Sequence, residues 1–214
     1  MRNLSKGEAP ALLRDRQASW TSEFLADPDN STKRYRYRHH EIKATLLAET
    51  FSKCIYCESK VGHNTPGDVE HKVPTSEDQT LHFSWDNLTV ACTECNRRKN
   101  DYFDAGTPFL DPYSDDVEGM LLHNGPIVNW VPGNVRAEVA VNILELNRAN
   151  RWHLICRKIE HIQVLNNLLA RIKNESSAVM VELLKKQLEE MQHVSAEYSG
   201  MVLAVCEQLS ARAE

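Results

Sequence analysis

The sequence predicts an α+β fold, on three observations. Apolar residues recur at helical spacing towards both ends. The segment between them is cut into short, turn-rich pieces. That segment also holds two C-x-x-C pairs, as expected of a module held by metal more than by a large core. The expected division is a helical segment over 1–52, a metal-held module over 53–113, and a hairpin with a helical domain over 114–214.

At 214 residues the chain is long enough for one compact domain or two small ones. Its 42% hydrophobic and 26% charged content is ordinary for a soluble protein. No stretch reaches the roughly 18 apolar residues of a membrane span, and "MRNLSKGEAPALLRDR" lacks the apolar run of a signal peptide. A cytoplasmic location is therefore expected. A net charge of −5 gives no general attraction to nucleic acid, so such binding must come from local patches. The charge is uneven: "KRYRYRHH" at 33–40 holds four Lys or Arg and no acid, whereas 101–120 hold six acids and no base.

The elements follow in order. "EAPALLRDRQASWTSEFLA", about 8–26, reads as a helix that ends at the turn formers "DPDNST". A second helix is expected over roughly 38–52, where Ile42, Leu46 or Leu47, and Phe51 recur at helical spacing. "MLLHNGPIVNWV", 120–131, reads as a hairpin turning at Asn124-Gly125. Beyond 132–134 helix is expected to the end, with Asn134 as its cap. There Ile155, Ile159, Ile162, Leu165, Leu169 and Ile172 form one stripe, and Met191, Val194, Tyr198, Met201 and Val205 step by three and four. An intramolecular bundle and a partner-docking coiled coil both fit that pattern.

Cysteines in a reducing compartment are read as metal ligands first. Cys54-x-x-Cys57 and Cys92-x-x-Cys95, separated by 34 residues, supply four thiolates to one tetrahedral Zn²⁺. Four buried free cysteines are the alternative. A Cys₄ zinc site has no open position, so it staples the fold without doing chemistry. Cys156 and Cys206 read as small buried apolar side chains.

The chemistry is expected between and just after the knuckles. A carboxylate from Glu70 and an amide oxygen from Asn96 suit a hard Mg²⁺ or Mn²⁺ that keeps several waters. His71 is then left as a base, and activity is expected to rise through its ordinary value of about 6.5.

C-x-x-C, "VEH" with a proline three residues after the His, "W-x-N-L" and "C-x-x-C-N-x-x-K" occur here in that order, between about Cys54 and Lys99. This series resembles the zinc-stapled HNH endonucleases, whose active site is a ββα-metal motif. With "LDPYSDD" and "ILELNR", it is similar to the HNH nuclease subunit of Septu-type anti-phage systems, also found in some retrons. The resemblance implies that His71 is the general base and that Glu70 stands where many such enzymes have an aspartate ligand. It implies further that Asn87 ties the loop that orients the histidine, and that Asn96 is the second protein ligand. It also implies phosphodiester hydrolysis, most of all of DNA, and a PtuA-like ATPase partner for which the C-terminal helices are docking candidates.

Arg97, Arg98 and Lys99 follow the second knuckle, where cations reach a phosphate backbone; a solvated helix face is the alternative for the two arginines. In the basic strip, Arg36 and Arg38 interleave with tyrosines, which suits phosphate pairing and base stacking, or equally an interface. His63 and His82 read as ordinary surface or core residues, though either could contact the substrate. Trp85 and Leu88 read as the small core under the motif. Three rival functions remain at this level: cleavage of structured RNA such as tRNA, a non-catalytic zinc module that binds nucleic acid, and an adaptor for the partner.

Overall fold

The computed structural model describes residues 1–62, 66–149 and 154–211, so His63 lies outside the described residues. The chain divides into two compact units: Asn3–Asp115, and Asp116–Glu214 together with Met1–Arg2.

The first unit begins with α1 (Ala11–Ala26), which buries Leu13 and Phe24, eleven residues and about three turns apart. A short helix, α2 (Ser31–Arg34), is capped by Asn30 and runs into a 3-10 turn over Tyr35–Arg38. The turn places Tyr37 in the interior. α3 (His40–Glu49) buries Ile42 and Leu46, while Phe51 falls beyond the helix with a positive φ of 54° and is partly exposed.

Two strands then pair antiparallel: β1 (Asp68–His71) and β2 (Leu88–Ala91), with Glu70 opposite Thr89 and His71 opposite Leu88. β2 is buried at every position, as its apolar Leu-Thr-Val-Ala sequence allows. Gly67 leads into β1 at a φ of 67°, and a Cβ there would lie 3.2 Å from Val61 and 3.3 Å from Val90, so a side chain is excluded on two grounds. α4 (Thr93–Lys99) follows β2 directly and completes a ββα unit. Phe83, Trp85, Leu88 and Val90 form the core beneath it.

The second unit opens with a helical turn, α5 (Val117–Met120), and a hairpin of β3 (Leu121–Asn124) and β4 (Ile127–Trp130). The hairpin turns one residue later than its Asn-Gly pair suggests. Asn124 is the last strand residue, paired with Ile127, and Gly125 alone takes positive φ, 59°. Asn134 caps α6 (Val135–Ile143) by accepting from the Ala137 amide at 3.0 Å. Asn147 ties the following segment to β4 through both its amide atoms and the Val128 backbone, at 2.7 and 2.8 Å.

The remaining helices are α7 (Leu154–Asn174), α8 (Ala178–Gln192) and α9 (Ser199–Ala211). On α7 the buried face is Leu154, Lys158, Leu165 and Leu168, rotated from the expected isoleucine stripe; Ile159 is 42% exposed. The Met191–Val205 series spans a helix break, since α8 ends at Gln192 and α9 starts at Ser199, yet Tyr198, Met201 and Val205 are buried. Cys156 is exposed and Cys206 half-buried, contrary to the expectation of two buried thiols.

Candidate active site

The four paired cysteines converge. Their sulfurs all lie within 4.8 Å of one another, and Cys57 and Cys92 Sγ are 3.8 Å apart. That is too long for a disulfide, but it matches the edge of a tetrahedron whose arms are the roughly 2.3 Å of a Zn–S bond. The first knuckle turns through Glu58 at a φ of 62°, with the Cys54 amide donating to the Ser59 carbonyl at 2.9 Å. In the second knuckle Cys92 caps α4, its sulfur accepting from the Cys95 amide. Burial pushes the Cys54 thiol well up, and sulfur neighbours do the same to Cys95. Four thiolates can share this pocket only around a cation, so the donor set fits Zn²⁺.

Strand alternation puts Asp68 and Glu70 on one face of β1 and Val69 and His71 on the other. α4 lies against the acidic face. Asn96 Nδ2 donates to Asp68 Oδ2 at 3.3 Å, and one turn further Lys99 Nζ lies 2.7 Å from Glu70 Oε1. The ammonium also donates to the His71 carbonyl at 2.9 Å.

His71 is held from its own side of the strand. Its Nε2 lies 2.9 Å from the His82 carbonyl oxygen. A carbonyl only accepts, so Nε2 carries the proton and Nδ1 keeps the lone pair. The ring stacks on His82 with centroids 4.7 Å apart and meets the edge of Tyr37 at 4.6 Å. His82 is itself fixed: Nε2 donates to the Arg34 carbonyl at 2.7 Å, Nδ1 accepts from the Thr75 hydroxyl at 2.8 Å, and Phe24 stacks on its far face. Asn87 closes the intervening loop, accepting from the Val73 amide at 2.7 Å and donating to the Val73 and Leu81 carbonyls.

The electrostatics follow from this packing. Burial lowers His71 to about 4, with His82 and Lys99 acting in the same direction. The imidazole is therefore neutral across the physiological range, and the expected titration near 6.5 moves to the acid side. Burial raises Glu70 to about 7 against the pull of Lys99, and the Asp68 charge adds to the rise. Glu70 Oε1 is buried and receives no well-directed hydrogen bond, although the ammonium lies close. A carboxylate under repulsion from a second, on the strand face against which Asn96 also lies, offers oxygen donors of the kind a hard divalent cation takes.

Several expected site residues stand differently. Glu70 and Asn96 share one strand–helix face, with the His71 ring on the other face of β1, and each is engaged with another residue: Glu70 with Lys99 and the Tyr56 hydroxyl, Asn96 with Asp68. Lys99, expected at a phosphate, is 1% exposed; its charge is taken up by Glu70 and the His71 carbonyl, which corrects that expectation. Arg97 is open to solvent, whereas the Arg98 side chain is 10% exposed, and both pair with Glu94. Arg36 pairs with Glu23 at 2.7 Å, and Arg38 is exposed, lying over the Tyr35 ring and bonded to the Tyr37 hydroxyl. Through Tyr37 the basic strip adjoins His71, a proximity with no local signal in the sequence. The one sequence signal for Asp68 is its place two residues before Glu70, which puts it on the same strand face.

The structure thus holds a ββα unit bracketed by a four-cysteine cluster, with a neutral histidine at the end of its first strand, and residues 54–102 match the HNH endonuclease family model. Over a longer span the chain is similar to the Septu protein PtuB of Bacillus thuringiensis, 28% identical over 152 residues that cover 71% of this chain and 56% of that protein. It is also similar to the Septu protein PtuB of Bacillus mycoides (strain KBAB4), 25% identical over 52% of this chain and 48% of that protein. The chain thus spans about half the length of the curated relatives it matches.

Proposed function

We propose that this protein is a metal-dependent endonuclease that hydrolyses phosphodiester bonds, DNA foremost, as the nuclease component of an anti-phage defence complex with a PtuA-like ATPase. The observation that carries the reading is the orientation of His71: Nε2–H is committed to the His82 carbonyl, so Nδ1 is the basic atom, and burial keeps it unprotonated.

In this reading His71 Nδ1 takes a proton from the attacking water, contributing about 10²- to 10⁴-fold. The His82 carbonyl stabilises the imidazolium that forms, as an acceptor already in place. Glu70 and Asn96 are the oxygen donors for Mg²⁺ or Mn²⁺, which when bound supplies charge stabilisation at the phosphate and the leaving oxygen. Asn87 holds the loop that delivers the His82 carbonyl. The cysteine site keeps β2 and α4 in register and does no chemistry. Arg36, Arg38 and Arg97 are the basic groups that meet a nucleic-acid backbone in this reading, and the Septu name of the relatives supports the defence role and the partner.

The test is cleavage by the purified protein, alone and with the ATPase, of DNA and of structured RNA in Mg²⁺ or Mn²⁺, with His71→Ala beside it. DNA nicking that His71→Ala abolishes is expected. Cleavage of RNA alone would reassign the substrate, and no His71-dependent cleavage of either would leave only a binding module.

A further inference from the structure

Resting on the metal-dependent reading above, we infer that Asp68 is a positioning residue of the cation site: it takes the Asn96 amide nitrogen, so that the Asn96 carbonyl oxygen is the atom left to the cation. The warrant is the 3.3 Å contact from Asn96 Nδ2 to Asp68 Oδ2 across the β1–α4 face. An ionised carboxylate only accepts, and of the two ends of an amide only the NH₂ group donates. The pair therefore has one workable orientation. A ligand whose other end is fixed in this way binds a metal more tightly, because its orientation is settled before the ion arrives.

The neighbouring contact makes the role specific. Glu70, two residues along the same strand face, is matched with Lys99, one turn along α4 from Asn96. The two rungs differ in kind: Lys99 brings a charge that neutralises its carboxylate, whereas Asn96 brings none. Asp68 is matched instead with a neutral amide, at partial exposure that a hydrated ion can reach. Replacing it with asparagine removes the charge and lets the pair turn over, with the Asn96 oxygen accepting and no longer free.

The test is Mn²⁺ binding by the full-length, zinc-loaded protein without substrate, followed through the resonance signal of free Mn²⁺, with thermal melting of each variant in the absence of Mn²⁺. Asp68→Asn is expected to weaken Mn²⁺ binding about 10- to 100-fold. The exchange Asp68→Asn with Asn96→Asp reverses donor and acceptor across the same contact and puts a carboxylate at the helix position, and it is expected to recover most of that loss. A purely structural Asp68 would lower the melting temperature and leave Mn²⁺ affinity as it was. Unchanged affinity in Asp68→Asn, or an exchange variant no better than the single one, overturns the inference. If Asp68→Asn does not fold, the exchange variant decides alone: Mn²⁺ affinity near wild type upholds the role and a lost site refutes it. Wild-type protein that binds no Mn²⁺ refutes the metal-dependent reading and this inference with it, whereas wild-type binding that Asp68→Asn leaves untouched refutes the inference only.

Discussion

His71 Nε2 and the backbone oxygen of His82 are 2.9 Å apart, and the two imidazole rings stack within 13° of parallel. One histidine thus fixes the tautomer of another with its backbone and the ring plane with its side chain. His82 can do this because Thr75, Arg34 and Phe24 leave it no freedom of its own.

The Lys99–Glu70 pair predicts a stability effect where a nucleic-acid contact predicts none. Both side chains are almost fully buried, and removing one partner of a buried pair costs about 3–5 kcal/mol. Lys99→Met should therefore lower stability in chemical denaturation. Its cost should be greater at pH 8 than at pH 6, because without the ammonium Glu70 escapes the penalty by taking up a proton, which is easier in acid. A Lys99→Met protein as stable as wild type, with weakened DNA binding, would return Lys99 to the substrate.

The cysteine cluster predicts one zinc ion per chain by elemental analysis. Cys57→Ser, or a strong chelator, should unfold the β2–α4 half of the module and abolish its cooperative melting, since such a site contributes its binding energy to folding. Full secondary structure and unchanged melting after zinc removal would show the four thiols to be ordinary core.

The basic strip predicts a salt effect. If Arg36 and Arg38 meet phosphates, replacing both with alanine should reduce the slope of log affinity for DNA against log salt by about 1–2. An unchanged slope would assign the strip to an interface, in keeping with the Arg36–Glu23 and Arg38–tyrosine contacts already present.

Much of the fold was legible because its signals are local. The C-x-x-C pairs marked where the four-cysteine cluster lies, the Asn134 cap marked the start of α6, and the Asn124-Gly125 pair marked the hairpin. The expected α7 stripe differs from the buried face because Ile155, Ile159 and Ile162 share one flank of the helix at helical spacing, beside the face that Leu154, Lys158, Leu165 and Leu168 bury. At the candidate site, Glu70, His71, Asn87 and Asn96 stand out in the sequence by type and order. Their partners could not: Tyr37 and His82 reach His71 only through tertiary packing, and Lys99 gave no sign in sequence that its charge is spent internally. The histidine's titration was misplaced for the same reason, since desolvation depends on what closes over the ring.

The rate that depends on His71, taken as wild-type minus His71→Ala cleavage of one DNA substrate in Mg²⁺, tests the central claim most directly when followed from pH 3.5 to 8. Only the unprotonated ring accepts a proton, so activity is present above the folded value and lost as pH falls through it. With that value lowered to about 4, and with Mg²⁺ at a concentration that saturates the site at each pH so that the Glu70 carboxyl, at about 7 without metal, does not limit the rate, the difference should stay level from about pH 5.5 upward and fall below pH 5. A His71-dependent rate that is still climbing through 6.5, or no difference between the two proteins at any pH, would contradict a buried, neutral His71 as the base.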